Sequence, residues 1–136
     1  MFRKLDERTF VAGQIGASDI AEAKALGVTA IVNNRPDGEE PGQPRSSEIE
    51  AAARAAGLAY RHIPVAGGFS LDQVEGMAAA LDEADGKVLA FCRSGTRSTF
   101  LWALARKARG GDGAEIMRQA ADAGYDLSPL QALLSR

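Results

Sequence analysis

Lys87-Val88-Leu89-Ala90-Phe91-Cys92-Arg93-Ser94-Gly95-Thr96-Arg97-Ser98 is the stretch that decides how this chain folds. The apolar run 87–91 reads as a short buried strand, and the polar, glycine-bearing segment after it cannot continue that strand. From Thr99 to Lys107 apolar residues return at helical spacing, with Phe100, Leu101, Leu104 and Trp102 expected on the core side. A buried strand that passes through a short loop into a helix is the repeating unit of a parallel sheet.

The same unit recurs toward the N-terminus. Val28-Thr29-Ala30-Ile31-Val32-Asn33 and residues 58–65 read as two further strands, separated by helical stretches. Ser18 is expected to cap a helix running to about Leu26, with Gly27 as its stop. Ser47 with Glu50, and Ser70 with Gln73, have the spacing of capping boxes for helices ending near Gly57 and Ala84. Two short extended segments, 2–5 and 9–12, precede all of these. The Pro- and Gly-rich run 35–44 excludes regular structure. Beyond Gly110-Gly111-Asp112-Gly113, a helix to about Ala123 and a last one opened by Ser128-Pro129 complete the chain. Strands alternating with helices define an α/β fold: one domain over residues 1–136, with a central, mainly parallel sheet flanked by helices.

Composition narrows the function classes. The 136 residues are 46% hydrophobic and 25% charged with a net charge of −2, as in an ordinary globular domain. Nothing in that balance supplies the basic face of a nucleic-acid binder. No apolar run approaches the length needed to span a membrane, and the charged start Phe2-Arg3-Lys4-Leu5-Asp6 lacks the apolar stretch of a signal peptide. A single cysteine cannot form an internal disulfide, so a reducing, cytoplasmic setting is expected. One His and one Cys make no metal site, and no cofactor is called for.

The chemistry is expected where the strand ends. Open parallel sheets bind ligands beyond the carboxyl ends of their strands, and a helix N-terminus there adds convergent N–H groups and partial positive charge. Cys92 is the candidate nucleophile, and those surroundings favour the thiolate, which is the reactive form. Arg97 can offer two parallel donors to an oxyanion, and the Ser98 hydroxyl can support the thiolate. Arg93, Ser94, Gly95 and Thr96 are expected to line the anion site, with Gly95 permitting a tightly curled backbone. A merely buried cysteine needs none of these neighbours.

Cys92-Arg93-Ser94-Gly95-Thr96-Arg97 resembles the rhodanese active loop, in which four residues separate Cys from Arg; protein tyrosine and dual-specificity phosphatases have five. Outside the loop the likeness changes. Val11-Ala12-Gly13-Gln14, Ile31-Val32-Asn33-Asn34-Arg35-Pro36-Asp37-Gly38-Glu39, Tyr60-Arg61-His62-Ile63-Pro64-Val65 and Ala123-Gly124-Tyr125-Asp126-Leu127 resemble the phosphatase-like domain of beta-lactamase-hydrolase-like proteins. That resemblance implies a protein-tyrosine/dual-specificity-phosphatase-like fold. Its members are described both as phosphatases and as sulfurtransferases, and some are fused to a persulfide dioxygenase, which it implies as a partner.

The two activities demand different residues. Phosphomonoester hydrolysis needs a general acid for the leaving oxygen, and phosphatases of this fold usually take an Asp from the loop after the strand ending near Val65. Here that loop is Ala66-Gly67-Gly68-Phe69, and Asp72 just beyond it suits a helix first turn. Asp37, Glu39 and Glu40 on the long loop are the other candidates. Sulfane-sulfur transfer needs no acid: the thiolate takes the outer sulfur of a donor and passes it on from a persulfide. The shorter loop and the missing Asp favour a sulfurtransferase acting on a small anionic or persulfide substrate, with a phosphatase acting on a phosphoester as the alternative. Loss of Cys92 or Arg97 would have pointed to an oxyanion- or phosphopeptide-binding module without catalysis, and both are present. A redox sensor would need a partner thiol, since the chain has no second Cys to resolve a sulfenic acid. Arg35 is expected either to bind the anionic substrate or to fix its own loop, and His62 to be a packed or surface residue of its strand.

Overall fold

A computed structural model describes residues 1–136. Five strands, β1 (Phe2–Asp6), β2 (Thr9–Ala12), β3 (Val28–Asn33), β4 (Ala59–His62) and β5 (Lys87–Phe91), form one sheet in the order β1-β2-β5-β3-β4. β1 and β2 are an antiparallel hairpin, while β2, β5, β3 and β4 run parallel. The strand that carries Cys92 therefore lies at the centre of the sheet. Side chains along β5 alternate between two cores. Val88 and Ala90 face one together with Val11, Val32, Leu101 and Trp102; Leu89 and Phe91 face the other with Ile31, Ile20 and Ile49. Burial on both faces explains why β3 and β5 read as nearly continuous apolar runs.

Helices α1 (Ala17–Ala25) and α2 (Ser46–Ala55) cover the second face. Helices α3 (Leu71–Glu83), α4 (Thr96–Ala108), α5 (Gly113–Asp122) and the short α6 (Gln131–Leu134) cover the first. No helix is long and apolar enough to cross a membrane. Leu101 and Trp102 are fully buried, whereas Phe100 and Leu104 lie at the edge of the core.

The helix starts show where local signals competed with longer-range ones. Ser70 and Gln73 form the expected capping box: Ser70 Oγ accepts from Gln73 N and Gln73 Oε1 from Ser70 N. The Ser47–Glu50 box does not form. Asp37, on the preceding loop, instead accepts the Ser46 N–H at 2.8 Å, and Glu50 pairs with Arg54. α1 begins at Ala17 rather than after Ser18, because the Asp19 carboxylate reaches back to the Gly16 N–H at 2.8 Å. β4 is shorter than residues 58–65, although Ile63 and Val65 still donate to Asn33 and Asn34 and carry the chain alongside β3. The largest difference concerns α4. It starts at Thr96, so Thr96, Arg97 and Ser98 form its first turn and the irregular loop is confined to residues 92–95.

Candidate active site

Gly95 makes the abrupt entry into α4. Its φ of +92° lies in the left-handed region, where a side chain would be strained, and a Cβ there would overlap the Tyr125 hydroxyl. With the backbone curled this way, Gly95 N–H points back at Cys92 Sγ, 3.1 Å away. Gly95 O accepts both the Thr99 N–H, at 2.9 Å, and the Thr99 hydroxyl, at 2.8 Å, which seals the first turn. On the other flank the loop presses against Gly13, where a Cβ would lie 2.9 Å from Arg93 O. Cys92 is only 1% exposed, so the sulfur sits at the floor of the loop and not on the surface. That placement weighs against an openly oxidisable sensor thiol.

Arg97 rises from the first turn of α4 and is held from one side. Its Nη1 and Nη2 donate to the two oxygens of Glu39, each at 2.8 Å, and Nη1 also donates to Val65 O at 2.7 Å. Three of the five guanidinium donors are thereby engaged. The Nε–H and the second Nη2–H, which point in parallel from the other edge, are taken by no carboxylate or carbonyl, and Arg97 interacts with the Cys92 side chain beside it. That edge is the fork that matches two oxygens of an oxyanion. The Glu39 carboxylate raises the pKa of Arg97 above its ordinary value; burial opposes this, and the adjacent Cys92 adds to the rise.

Glu39 is itself clamped. The bond from Arg97 is the main reason its pKa falls to about 2, and burial works against that fall; Arg35 lowers it further by donating from Nε at 2.9 Å. The folded protein thus holds Glu39 deprotonated more firmly than the unfolded chain, whose carboxyl titrates near 4.5. Its contribution to stability is complete above that value and is lost as the pH falls toward about 2. Thermal unfolding of wild type and Glu39→Gln is expected to differ at neutral pH, with the gap narrowing steadily through this acid range. A gap independent of pH would show that the carboxylate is not held in this way.

Arg35 does not face a substrate. Its side chain is 1% exposed and bonded to Glu39, to Glu40 at 2.9 Å and to Gln14 at 3.0 Å, so of its two expected roles it takes the fixing of its own loop. It stands directly behind Glu39 and braces the support of Arg97. Ser98 also differs from expectation: its hydroxyl donates to Asn34 Oδ1 at 2.8 Å, and the Asn34 amide in turn donates to Ile63 O. Buried Ser98 and Asn34 thereby tie α4 to the ends of β3 and β4. Ser94 and Thr96 bond to each other through their hydroxyls at 3.1 Å, and Arg93 projects outward, exposed. His62 is an edge residue whose Nε2 meets Arg35 O at 2.9 Å. Among the carboxylates weighed as acids, Asp37 caps α2, Glu39 and Glu40 are ionised partners of arginines, and Asp72 is exposed in the first turn of α3.

Two contributors were missed by reading the sequence. The supporting role of Glu39 needs the long loop folded back over the sheet end, and its only local signal was a carboxylate near a strand terminus. Tyr125, from the segment after α5, donates its hydroxyl to Ser94 O at 3.1 Å. It follows Gly124, whose φ is +96°, but nothing local ties it to a loop about thirty residues away.

The central, mainly parallel five-stranded sheet with helices on both faces is the protein-tyrosine/dual-specificity-phosphatase-like fold. The chain belongs to the family of the phosphatase-like domain of beta-lactamase hydrolase-like proteins, whose profile matches residues 1–109. It is 40% identical over 102 residues to the beta-lactamase hydrolase-like protein of Agrobacterium fabrum strain C58. That match covers 74% of this chain but 24% of the relative, so the chain spans about a quarter of the curated relatives it matches. A candidate phosphatase of known structure from Neisseria meningitidis Z2491 is similar over 97% of this chain and 94% of its own, with 35% identity and a TM-score of 0.83. Human DUSP28 shares the fold, at 20% identity and a TM-score of 0.71 over 98% of this chain and 90% of its own.

Proposed function

We propose that this domain is a cysteine-dependent phosphatase that hydrolyses phosphomonoesters through a phosphocysteine at Cys92. The observation that carries the reading is the second edge of Arg97, two parallel N–H donors not taken by the Glu39 that braces the guanidinium, set beside a Cys92 sulfur that already receives the Gly95 N–H. Membership of a phosphatase-like family and the likeness to the Neisseria protein support it. In the first step the Cys92 thiolate attacks phosphorus; the S–P bond forms as the P–O bond to the leaving group breaks, and the leaving oxygen departs with the bonding pair. Arg97 and the loop N–H groups hold the remaining oxygens, on which charge must be stabilised. Water then attacks phosphorus, the S–P bond breaks, and inorganic phosphate and the thiolate are released.

The nearby carboxylates bear on the substrate. Asp37, Glu39 and Glu40 are committed to other partners, and the loop 66–69 carries no carboxylate. Asp72 stands exposed in the first turn of α3, where it suits the helix dipole, so the leaving oxygen is read as departing without a built-in proton donor. Hydrolysis is therefore expected to favour aryl phosphates with weakly basic leaving groups. With purified protein, kcat/KM for nitrophenyl phosphate should exceed that for phenyl phosphate by at least about a hundredfold, the contribution a general acid would otherwise make. Equal rates would place a proton donor in the site, and no hydrolysis of either would end the phosphatase reading.

Sulfur transfer is the second reading, favoured by the same lack of an acid and by the four-residue spacing from Cys92 to Arg97. Incubation with thiosulfate or glutathione persulfide, followed by intact mass, separates the two. One sulfur gained on wild type but not on Cys92→Ser, and removed by cyanide, would favour the sulfur carrier.

A further inference from the structure

Ser94 and Gly95 share one peptide unit, and both of its polar groups are engaged. The carbonyl of Ser94 accepts the Tyr125 hydroxyl at 3.1 Å, and the N–H of Gly95 donates to Cys92 Sγ at 3.1 Å. A trans peptide is planar, with its C=O and N–H pointing in opposite directions. No peptide bond in this chain is cis. A group that fixes the carbonyl on the outside therefore fixes the N–H on the inside.

We propose that Tyr125 is a positioning residue for the nucleophile: its hydroxyl anchors the Ser94 carbonyl and so holds the Gly95 N–H on the Cys92 sulfur. The inference rests on Cys92 being the reactive group, but it does not depend on which group Cys92 transfers.

Three further features make the anchor specific. The Tyr125 hydroxyl stands where a Cβ of residue 95 would be, so only glycine at that position lets the ring approach. Arg3 braces the other side, stacking 5.7 Å from the centre of the Tyr125 ring and donating to Ala123 O at 2.8 Å. The N-terminal strand and the segment after α5 are thereby joined at the catalytic loop. Accepting a hydrogen bond at the carbonyl also polarises the peptide and strengthens its N–H as a donor. Without the hydroxyl, a glycine-containing peptide is free to rotate, and a flipped unit would turn its carbonyl oxygen toward the sulfur.

The test uses Tyr125→Phe, which keeps the ring and removes only the hydroxyl. Cys92 is the sole cysteine, so alkylation by iodoacetamide, read by intact mass, reports on it alone. Arg97, from α4, and Tyr125 itself are the ionisable side chains that feel the Cys92 sulfur. Burial raises the Tyr125 pKa above its ordinary phenolic value, partly offset by Arg3, while Cys92 adds to the rise. Arg97 stays charged, so neither group titrates between about pH 5 and 9. In Tyr125→Phe the pH at which alkylation reaches half its maximal rate should move upward by about half a unit or more, as expected when a thiolate loses an oriented donor. The Gly95 amide resonance should shift in parallel, while the melting curve retains a single cooperative transition. An unchanged alkylation profile, or a Gly95 amide that does not move, would overturn the proposal. Neither result bears on whether the wild type hydrolyses phosphoesters, so the two readings can fail separately.

Discussion

Cys92→Ser is expected to lose aryl phosphate hydrolysis by at least about four orders of magnitude in kcat. A serine hydroxyl at the floor of this loop is a far weaker nucleophile than a thiolate, and its neighbours are arranged for an anion, not for a base that would activate it. Gly95 N–H, Arg97 and the first turn of α4 all supply positive character, and His62, the one histidine, is bonded to the Arg35 carbonyl. The variant should nonetheless fold, because the site is small and Ser is smaller still. Its melting temperature should stay close to that of wild type, and it should still bind inorganic phosphate or vanadate through Arg97. Loss of activity together with loss of phosphate binding would point to a collapsed loop instead of a missing nucleophile.

Arg97→Lys should cost about a hundred- to a thousandfold in kcat/KM, the range seen when a preorganised oxyanion donor is removed. Lysine keeps the positive charge but cannot do two things at once. In the structure one edge of the guanidinium is held by both oxygens of Glu39 and by Val65 O, which leaves the other edge, beside Cys92, to meet substrate. An ammonium that stays with Glu39 has no second fork to offer, and one that turns to the substrate leaves its support. The loss should appear in the rate of phosphoryl transfer more than in ground-state binding. A lysine variant with wild-type kcat/KM would show that only net charge matters here.

How far the sequence carried these conclusions depended on the distance over which each signal acts. Residues 87–98 were sufficient for a strand, a loop and a helix, because alternating burial, a glycine and an apolar helical spacing are all local. The position of β5 at the sheet centre was not stated by any one segment, but continuous apolar runs in β3 and β5 already required helices on both faces. Ser70 and Gln73 could be paired from spacing alone, since both lie within one turn. Ser47 and Glu50 could not, because Asp37 displaces them from nine residues before Ser46. The same limit governed the site. Cys92, Gly95 and Arg97 sit within six residues and were legible together. Ser98 has the right side chain for supporting a thiolate, yet Asn34 from β3's end takes its hydroxyl. Arg35 lies at a strand end on the correct side of the sheet, but two glutamates and Gln14 enclose it. Glu39 and Tyr125 contribute only after the chain has brought residues 39, 95, 97 and 125 to one point. The choice of chemistry turned on a carboxylate missing from the loop 66–69. That feature, with the four-residue spacing from Cys92 to Arg97, argued for sulfur transfer in the sequence, whereas the family and the likeness to the Neisseria protein support a phosphatase.

The central claim is a covalent phosphocysteine, and trapping it tests that claim most directly. Wild-type protein mixed with excess nitrophenyl phosphate and quenched in acid within milliseconds should carry one phosphoryl group, mapped by peptide mass to Cys92 and absent from Cys92→Ser. Its appearance should be as fast as the first burst of nitrophenol. Nitrophenol release with no phosphoryl group on Cys92, or release undiminished in Cys92→Ser, would contradict the account.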